Sequence, residues 1–326
     1  QASLGAGIPN ATGCTTVNKM CGSGMKTTMM AHDALLAQTN KIMVAGGMES
    51  MTNAPYILQK ARSGQRLGHG EMSDHMFLDG LEDVYEKGTL MGVFAERTAK
   101  SYGFTREEQD EFAIRSLTRA KKAIEDGSFK EEITPVSFQY RKEEIVVEED
   151  EQPLSADLKK IPKLRPAFEK EGTVTAANSS SISDGAAALV MMCESTAIKS
   201  GITPLARILG HTSFAQSPDW FTTAPISAIK MLLEKIGWNT HDVDLFEINE
   251  AFATVTMAAM KDLELPMKKV NIHGGACALG HPVGASGTRI LVTLISALRK
   301  YNKKRGVASL CIGGGEATAM AIEVLT

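Results

Sequence analysis

Cys21-Gly22-Ser23-Gly24-Met25-Lys26 leads into an apolar-rich helical run from Thr27 to Leu36. A strand-like run, Lys41 to Ala45, follows, and then Gly46-Gly47-Met48-Glu49-Ser50-Met51. The same order returns near the other end of the chain. Gly284-Ala285-Ser286-Gly287-Thr288-Arg289 leads into Ile290 to Leu298, a β-run from Val307 to Ile312, and Gly313-Gly314-Gly315-Glu316 with Ala317 to Met320 behind it. A short basic insertion, residues 303–305, separates the second helix from its strand. Helix, strand and Gly-rich turn in matching order predict two similar α/β halves, each with a sheet between helices. Gly-rich turns are common, so chance likeness is the competing reading at this point.

Between the echoes the texture changes. Residues 55–90 lack clear periodicity and read as an excursion loop. Thr105-Arg106-Glu107-Glu108 is a capping box opening an amphipathic helix, with Phe112, Leu117, Ala120 and Ile124 on one stripe and Gly127 as its stop. Ile133 to Tyr140 and Glu144 to Val147 alternate like a hairpin, and the acidic run Glu148 to Glu151 reads as solvated loop. Lys159 to Phe168 is basic with two prolines and should be irregular. Residues 172–178 and 184–191 read as strands. The second half begins near Pro204. Pro225 fits a first helical turn and Gly237 a helix stop. Asp244 to Ile248 is a short buried strand that ends at Asn249, the kind of strand end where open α/β sheets place ligands. The expected division is residues 1–52 with 182–203 for the N-terminal half, 53–181 for an inserted loop domain, and 204–326 for the C-terminal half.

The 326 residues exceed what one compact core usually needs, which agrees with two halves. A hydrophobic share of 43% against 22% charged is that of a chain able to bury a sizeable core, and a net charge of −3 gives no reason to expect nucleic acid. No apolar run reaches membrane-spanning length. Five cysteines without a CxxC pair suggest neither a zinc site nor a disulfide framework, so no metal is expected. Thiols kept reduced point to a reducing, cytoplasmic compartment.

Four positions carry candidate chemistry. Cys21, read as the first residue of a helix, faces the positive end of the dipole, which lowers a thiol pKa; the alternative is a buried structural cysteine. His281, between Gly280 and Pro282, sits on a rigid bend that suits a general base for a thiol, although one histidine among seven is more often a packed core residue. His32, His69, His75, His211 and His241 lack such context and read as structural or surface. Cys311 ends a β-run at a three-glycine turn whose N–H groups can face an anion. Asn249 is either a strand-end amide or a polar group aimed at a ligand. Gly313-Gly314-Gly315 lacks the Lys-Ser/Thr that would make it a phosphate loop.

Six motifs run in order along the whole chain: Asn18-Lys19-Met20-Cys21-Gly22-Ser23-Gly24, Val44 to Met51, Gly172 to Asn178, Asn249-Glu250-Ala251-Phe252, Gly274 to Pro282, and Cys311 to Gly315. In these the chain resembles the thiolase family. The resemblance implies a duplicated five-layer αβαβα fold with an inserted loop domain for coenzyme A binding and oligomerisation. It also implies a strand and helix portion that precedes the point where this sequence begins. The implied activity is that of an acetyl-CoA C-acetyltransferase of fatty-acid metabolism. Cys21 takes an acetyl group, His281 takes the thiol proton, and Cys311 removes the α-proton of a second acetyl-CoA. His281 with an Asn249-held water, and the N–H groups of Cys21 and Gly313, form two oxyanion holes. Ser180, Met91, Lys160, Ala251, Phe252 and Phe221 are the implied coenzyme A and acyl-pocket residues. Acetyl-CoA, acetoacetyl-CoA and coenzyme A are the implied partners, with no cofactor, no nucleic acid, no membrane, and a homotetramer.

Several positions depart from the family pattern. Leu90 stands where short-chain members often have His, Leu117 where potassium-activated members have Tyr, and His273 where Asn is common; Ser155-Ala156-Asp157 lacks an adenine-facing Arg. The rivals are a β-ketoacyl synthase-like enzyme, which Cys311 argues against, a broader-chain degradative 3-ketoacyl-CoA thiolase, and a non-catalytic acyl-CoA-binding protein.

Overall fold

The computed structural model describes residues 1–325. The chain opens with α1 (Ala2–Gly5), α2 (Ser23–Leu36) and β1 (Ile42–Ser50). The middle holds β2 (Tyr56–Leu58), β3 (Met72–Asp74), α3 (Met91–Tyr102), α4 (Arg106–Glu125), β4 (Val136–Tyr140), β5 (Glu143–Val147) and α5 (Glu151–Ser155). Then come β6 (Asp184–Met192), α6 (Glu194–Lys199), β7 (Ala206–Ala215), α7 (Ala224–Ile236), β8 (Leu245–Ile248) and α8 (Ala253–Asp262). The chain closes with α9 (Ala276–Leu279), α10 (Ser286–Lys300), β9 (Arg305–Ile312) and β10 (Glu316–Val324).

Two sheets face each other across α2 and α10. One is the antiparallel pair β1–β6, with Ile42 opposite Met192 and Ser50 opposite Asp184. The other has the order β7-β10-β9-β8, with β8 and β9 parallel and the remaining pairs antiparallel. Helices α2 and α10 pack on each other between the sheets, and α7 covers the far face of the four-stranded sheet with α8 beside it. Composition follows from this layering. Strands β8, β9 and β10 are covered on both faces and are buried almost throughout, as unbroken apolar runs should be. Strands β1 and β6 alternate instead. Among the described residues their outer face carries no helical layer, and Val44, Met48 and Val190 are 53%, 69% and 68% exposed there. Ile290, Leu291, Leu294 and Leu298 of α10 are fully buried, each contributing about 1.5–3 kcal/mol of burial free energy.

The predicted echo is present in three dimensions, with one change of reading. In both halves a helix runs into a strand that pairs antiparallel with the next strand of its sheet: α2, β1 and β6 in the first, α10, β9 and β10 in the second. Gly46-Gly47, however, is no turn; both glycines lie inside β1. A Cβ on Gly47 would stand 2.0 Å from the Gly284 carbonyl oxygen, so the glycine admits another backbone against the strand. Residues 51–183 therefore stand where the second half has only Gly313-Gly314-Gly315.

Within residues 55–90 the backbone folds into the β2–β3 hairpin rather than an open loop. The capping box of α4 forms in both directions: Glu108 N–H donates to Thr105 Oγ1 at 3.2 Å, and Thr105 N–H to Glu108 Oε2 at 2.8 Å. The β4–β5 hairpin and the helix from Pro225 to Gly237 stand where expected. Residues 172–178 form no strand. Their backbone is held by side chains, the N–H groups of Thr173 and Val174 donating to Glu96 and that of Thr175 to Asn178 Oδ1. Acidic side chains at Asp150 and Glu151 lead into α5 instead of continuing the loop.

Candidate active site

Cys21 lies not in α2 but in a 3₁₀ turn, Met20–Gly22, just before it. Met20 takes φ +47°, a left-handed conformation that costs free energy outside glycine and must be held by its surroundings. Asn18 Oδ1 accepts from Met20 N–H at 2.9 Å. Ser23 accepts from Lys19 N–H at 2.9 Å and donates to the Met20 carbonyl at 2.8 Å. The turn aims the thiol back against the end of β9. Its pKa corrects the expectation of a helix-activated thiolate: burial raises it to about 11. The backbone N–H groups of Gly313 and Cys21 pull it down, and the Glu49 carboxylate pushes it further up. Desolvation is the largest influence on the thiol and outweighs both N–H groups. Those same two N–H groups converge on the sulfur.

His281 is buried. Gly280, at φ +87°, makes its bend, and a Cβ there would meet Ser183 Oγ at 2.1 Å. Its Nδ1 lies 2.5 Å from Ser286 Oγ, and the Ser286 hydroxyl donates to the Pro282 carbonyl at 3.0 Å. The serine oxygen therefore accepts from Nδ1–H, and this network assigns the tautomer. Nε2 is left buried and unprotonated, with no protein partner. Burial, and then the charge of Arg289, lowers the imidazole to about 4, so it is neutral at physiological pH. Glu49 of β1 accepts from Gly284 N–H at 2.9 Å and thereby ties the histidine loop to the first half.

Asn249 follows the last residue of β8. Its N–H donates to the Ser309 carbonyl at 3.0 Å, and its Nδ2 stands 3.4 Å from His281 Nδ1. Its Oδ1 is buried with no protein partner. Cys311 is buried at the end of β9, its pKa raised by burial and then by the neighbouring Cys21 thiol. Cys311 shares one apolar cluster with Met91, Phe221, Ala251 and Phe252, joined by Phe94, Val174 and Phe168. Ser180 borders this cluster, its N–H donating to the Ala251 carbonyl at 3.0 Å. Lys160 is not brought to this group; it is exposed on a 3₁₀ segment, Leu158–Lys163.

Two positioning residues escaped notice in the sequence. Ser286, which orients His281, occupies in the second echo the place Ser23 holds in the first, so the repeat itself pointed to it. Glu250 is buried and accepts from Ser116 Oγ at 2.7 Å, Asn271 Nδ2 at 2.8 Å and Cys277 N–H at 3.1 Å. A carboxylate in the apolar stretch 245–259 needs such partners, and that was its legible mark. His273 is also buried, its ring edge-on to Phe129 at 5.7 Å, and burial lowers it to about 4.

The site has a neutral imidazole with a free Nε2, a thiol under two N–H groups, and a second thiol in an apolar cluster. The thiolase N-terminal domain model matches residues 1–195, and the thiolase C-terminal domain model matches residues 202–324. The chain belongs to the thiolase family. This thiolase is 48% identical to acetyl-CoA acetyltransferase 2 of Arabidopsis thaliana, over all of this chain and 81% of that protein. It is 49% identical to the acetyl-CoA acetyltransferase of Escherichia coli K12, over all of this chain and 83% of that protein. Among solved structures, the Bacillus anthracis acetyl-CoA acetyltransferase superposes with a TM-score of 0.95 at 43% identity, covering 99% of this chain and 82% of that one. The Acat5 thiolase of Ascaris suum in complex with coenzyme A does so with a TM-score of 0.93 at 42% identity, with the same coverage. A mixed α/β thiolase fold is thus shared by chain and relatives.

Proposed function

We propose that this thiolase is an acetyl-CoA acetyltransferase, which joins two acetyl-CoA molecules into acetoacetyl-CoA and coenzyme A and runs the reverse cleavage. The observation that carries this reading is the proximity of the Cys21 and Cys311 thiols, with the Gly313 and Cys21 N–H groups on the first. His281 Nε2 takes the Cys21 proton as the sulfur attacks the thioester carbonyl, and coenzyme A departs. Cys311 protonates the departing thiolate. The resulting Cys311 thiolate, destabilised by burial, is a strong base that removes a proton from the methyl of the second acetyl-CoA. The enolate attacks the acetyl group on Cys21, and the released Cys21 sulfur recovers its proton from His281. Charge develops on two carbonyl oxygens. The N–H groups of Cys21 and Gly313 serve one; His281 with a water held by Asn249 serves the other. The thioester itself acidifies the α-carbon, so the reaction requires no cofactor.

Met91 and Phe221 wall the acyl pocket, which favours short chains. Residues 53–181 form the domain proposed to bind coenzyme A, with Ser180 near the pantetheine and exposed Lys160 available to the nucleotide phosphates. Exposed Tyr56, Met72, Phe138, Tyr140 and Val146 on the two hairpins of that domain support a homotetramer. Among the described residues no helix is long and apolar enough to cross a membrane. Five free cysteines support a reducing cytoplasmic location. Thiolysis rates across 3-ketoacyl-CoA chain lengths test the assignment. A graded preference for acetoacetyl-CoA is expected, since each blocked methylene discriminates by ~1–3 kcal/mol. An equal or higher kcat/KM on an eight-carbon substrate moves the enzyme to the degradative branch.

A further inference from the structure

His32 and Asp33 in the third turn of α2 meet His211 on the edge strand β7, on the side of that strand facing away from α7. One ligand atom from each of the three lies within 4.8 Å of the others. Asp33 Oδ1 stands 2.9 Å from His211 Nε2 and 3.7 Å from His32 Nδ1. Zinc bound tetrahedrally at ~2.0–2.1 Å separates its ligand atoms by about 3.3 Å, midway between those two spacings. The two rings are edge-on, with centroids 5.2 Å apart, so their nitrogens converge without the rings stacking. His32 Nδ1 is buried and has no hydrogen-bond partner. An unpaired buried ring nitrogen carries a desolvation cost that a metal ligand bond removes. Asp33 is largely exposed, which leaves one side open to water.

We infer that His32, Asp33 and His211 form a site for a divalent transition ion of the zinc type, which cross-links the central helix α2 to the edge of the four-stranded sheet. Two imidazoles and one carboxylate suit zinc and its neighbours rather than calcium or magnesium, which prefer all-oxygen sets. The Lys235 ammonium, which donates to the His211 carbonyl at 3.1 Å, works against a dication and lowers the affinity. The two histidines lacked context in the sequence because they are 179 residues apart in it. The site is separate from the reaction: α2 rises roughly 14 Å, at about 1.5 Å per residue, from Ser23, two residues after Cys21, to this turn. Its role is to hold the halves together.

The test uses the whole protein, stripped by a chelator and alkylated at Cys21 so that the catalytic thiol takes no metal. Added Zn²⁺ should leave one bound ion per chain by elemental analysis, and raise Tm by roughly 3–6 °C at a hundredfold excess over Kd. The paired substitution His32→Ala and His211→Ala should lose both effects. Asp33→Asn, at an exposed position that leaves the fold intact, should weaken zinc binding tenfold or more. In unalkylated protein these variants should keep wild-type turnover of acetoacetyl-CoA. Zinc content unchanged in Asp33→Asn and in the paired variant, or a Tm indifferent to zinc in the parent protein, overturns the site and leaves a simple His–Asp hydrogen bond.

Discussion

Cys21, with its thiol near pKa 11, is protonated at neutral pH, and its reactivity waits on a base that is itself neutral. Burial, and then the Cys21 thiol beside it, raises Cys311 as well, so both thiols rest protonated. Cys311→Ala should still be acetylated by acetyl-CoA, yet fail in condensation and in exchange of the methyl protons with deuterated solvent. Cys21→Ala should lose acetylation and turnover together. Intact-mass spectrometry and NMR of the two variants decide this, and an acetyl adduct on Cys311 formed at a competent rate would reverse the assignment. Asn249→Ala should lower kcat by ~10²–10³ with little change in KM, because an oxyanion-hole group acts mainly in the transition state. Steady-state kinetics with wild-type kcat and a raised KM would make Asn249 a binding residue instead.

At the scale of elements, the catalytic histidine depends on a strand from the other half. Strand β1 admits the Gly284 backbone at Gly47 and holds Gly284 N–H through Glu49, so the loop from Gly280 to Ser286 is docked on both sides. Gly47→Ala would press a methyl onto a backbone carbonyl that has no flexible side chain to move aside. A destabilisation of about 1–3 kcal/mol is expected, with a lowered kcat as His281 shifts. Thr105→Ala is the control. Losing that helix cap should cost about 1 kcal/mol while kcat stays unchanged. Urea unfolding and turnover on both variants separate the cases: equal kcat in the two would show that the β1 contact is structural only.

For the molecule as a whole, two buried imidazoles set the acid limit of stability. His281 and His273 are each lowered by burial from 6.5 to about 4, so the folded chain resists protons that the unfolded chain accepts. Their contribution is complete above pH 6.5. It falls as pH drops toward 4, by about 1.4 kcal/mol per unit for each group. His273→Leu removes one of them without touching the catalytic site. Thermal midpoints across this range should fall less steeply in the variant than in the parent; parallel curves would mean that His273 does not titrate with folding.

The chain by itself determined the duplicated α/β plan, the capping box at Thr105, the stops at Gly127 and Gly237, and the identity of Cys21, His281, Cys311 and Asn249. The plan, the cap, the stops and the Gly-bounded turns rest on local chemistry; the choice of Asn249 over a plain strand-end amide came from the resemblance of the motifs to thiolases. Only the tertiary structure decided what those residues experience. The Cys21 thiol is raised by burial that no neighbour in sequence supplies. Gly46-Gly47 reads as a turn until the Gly284 backbone is found against it. Residues 172–178 have strand-like composition, but Glu96, 76 positions upstream of Gly172, takes their N–H groups. His32 and His211 are unremarked until a helix of one half is laid beside an edge strand of the other. Desolvation and convergence belong to the packed chain, because both depend on which distant surfaces exclude water from a given atom.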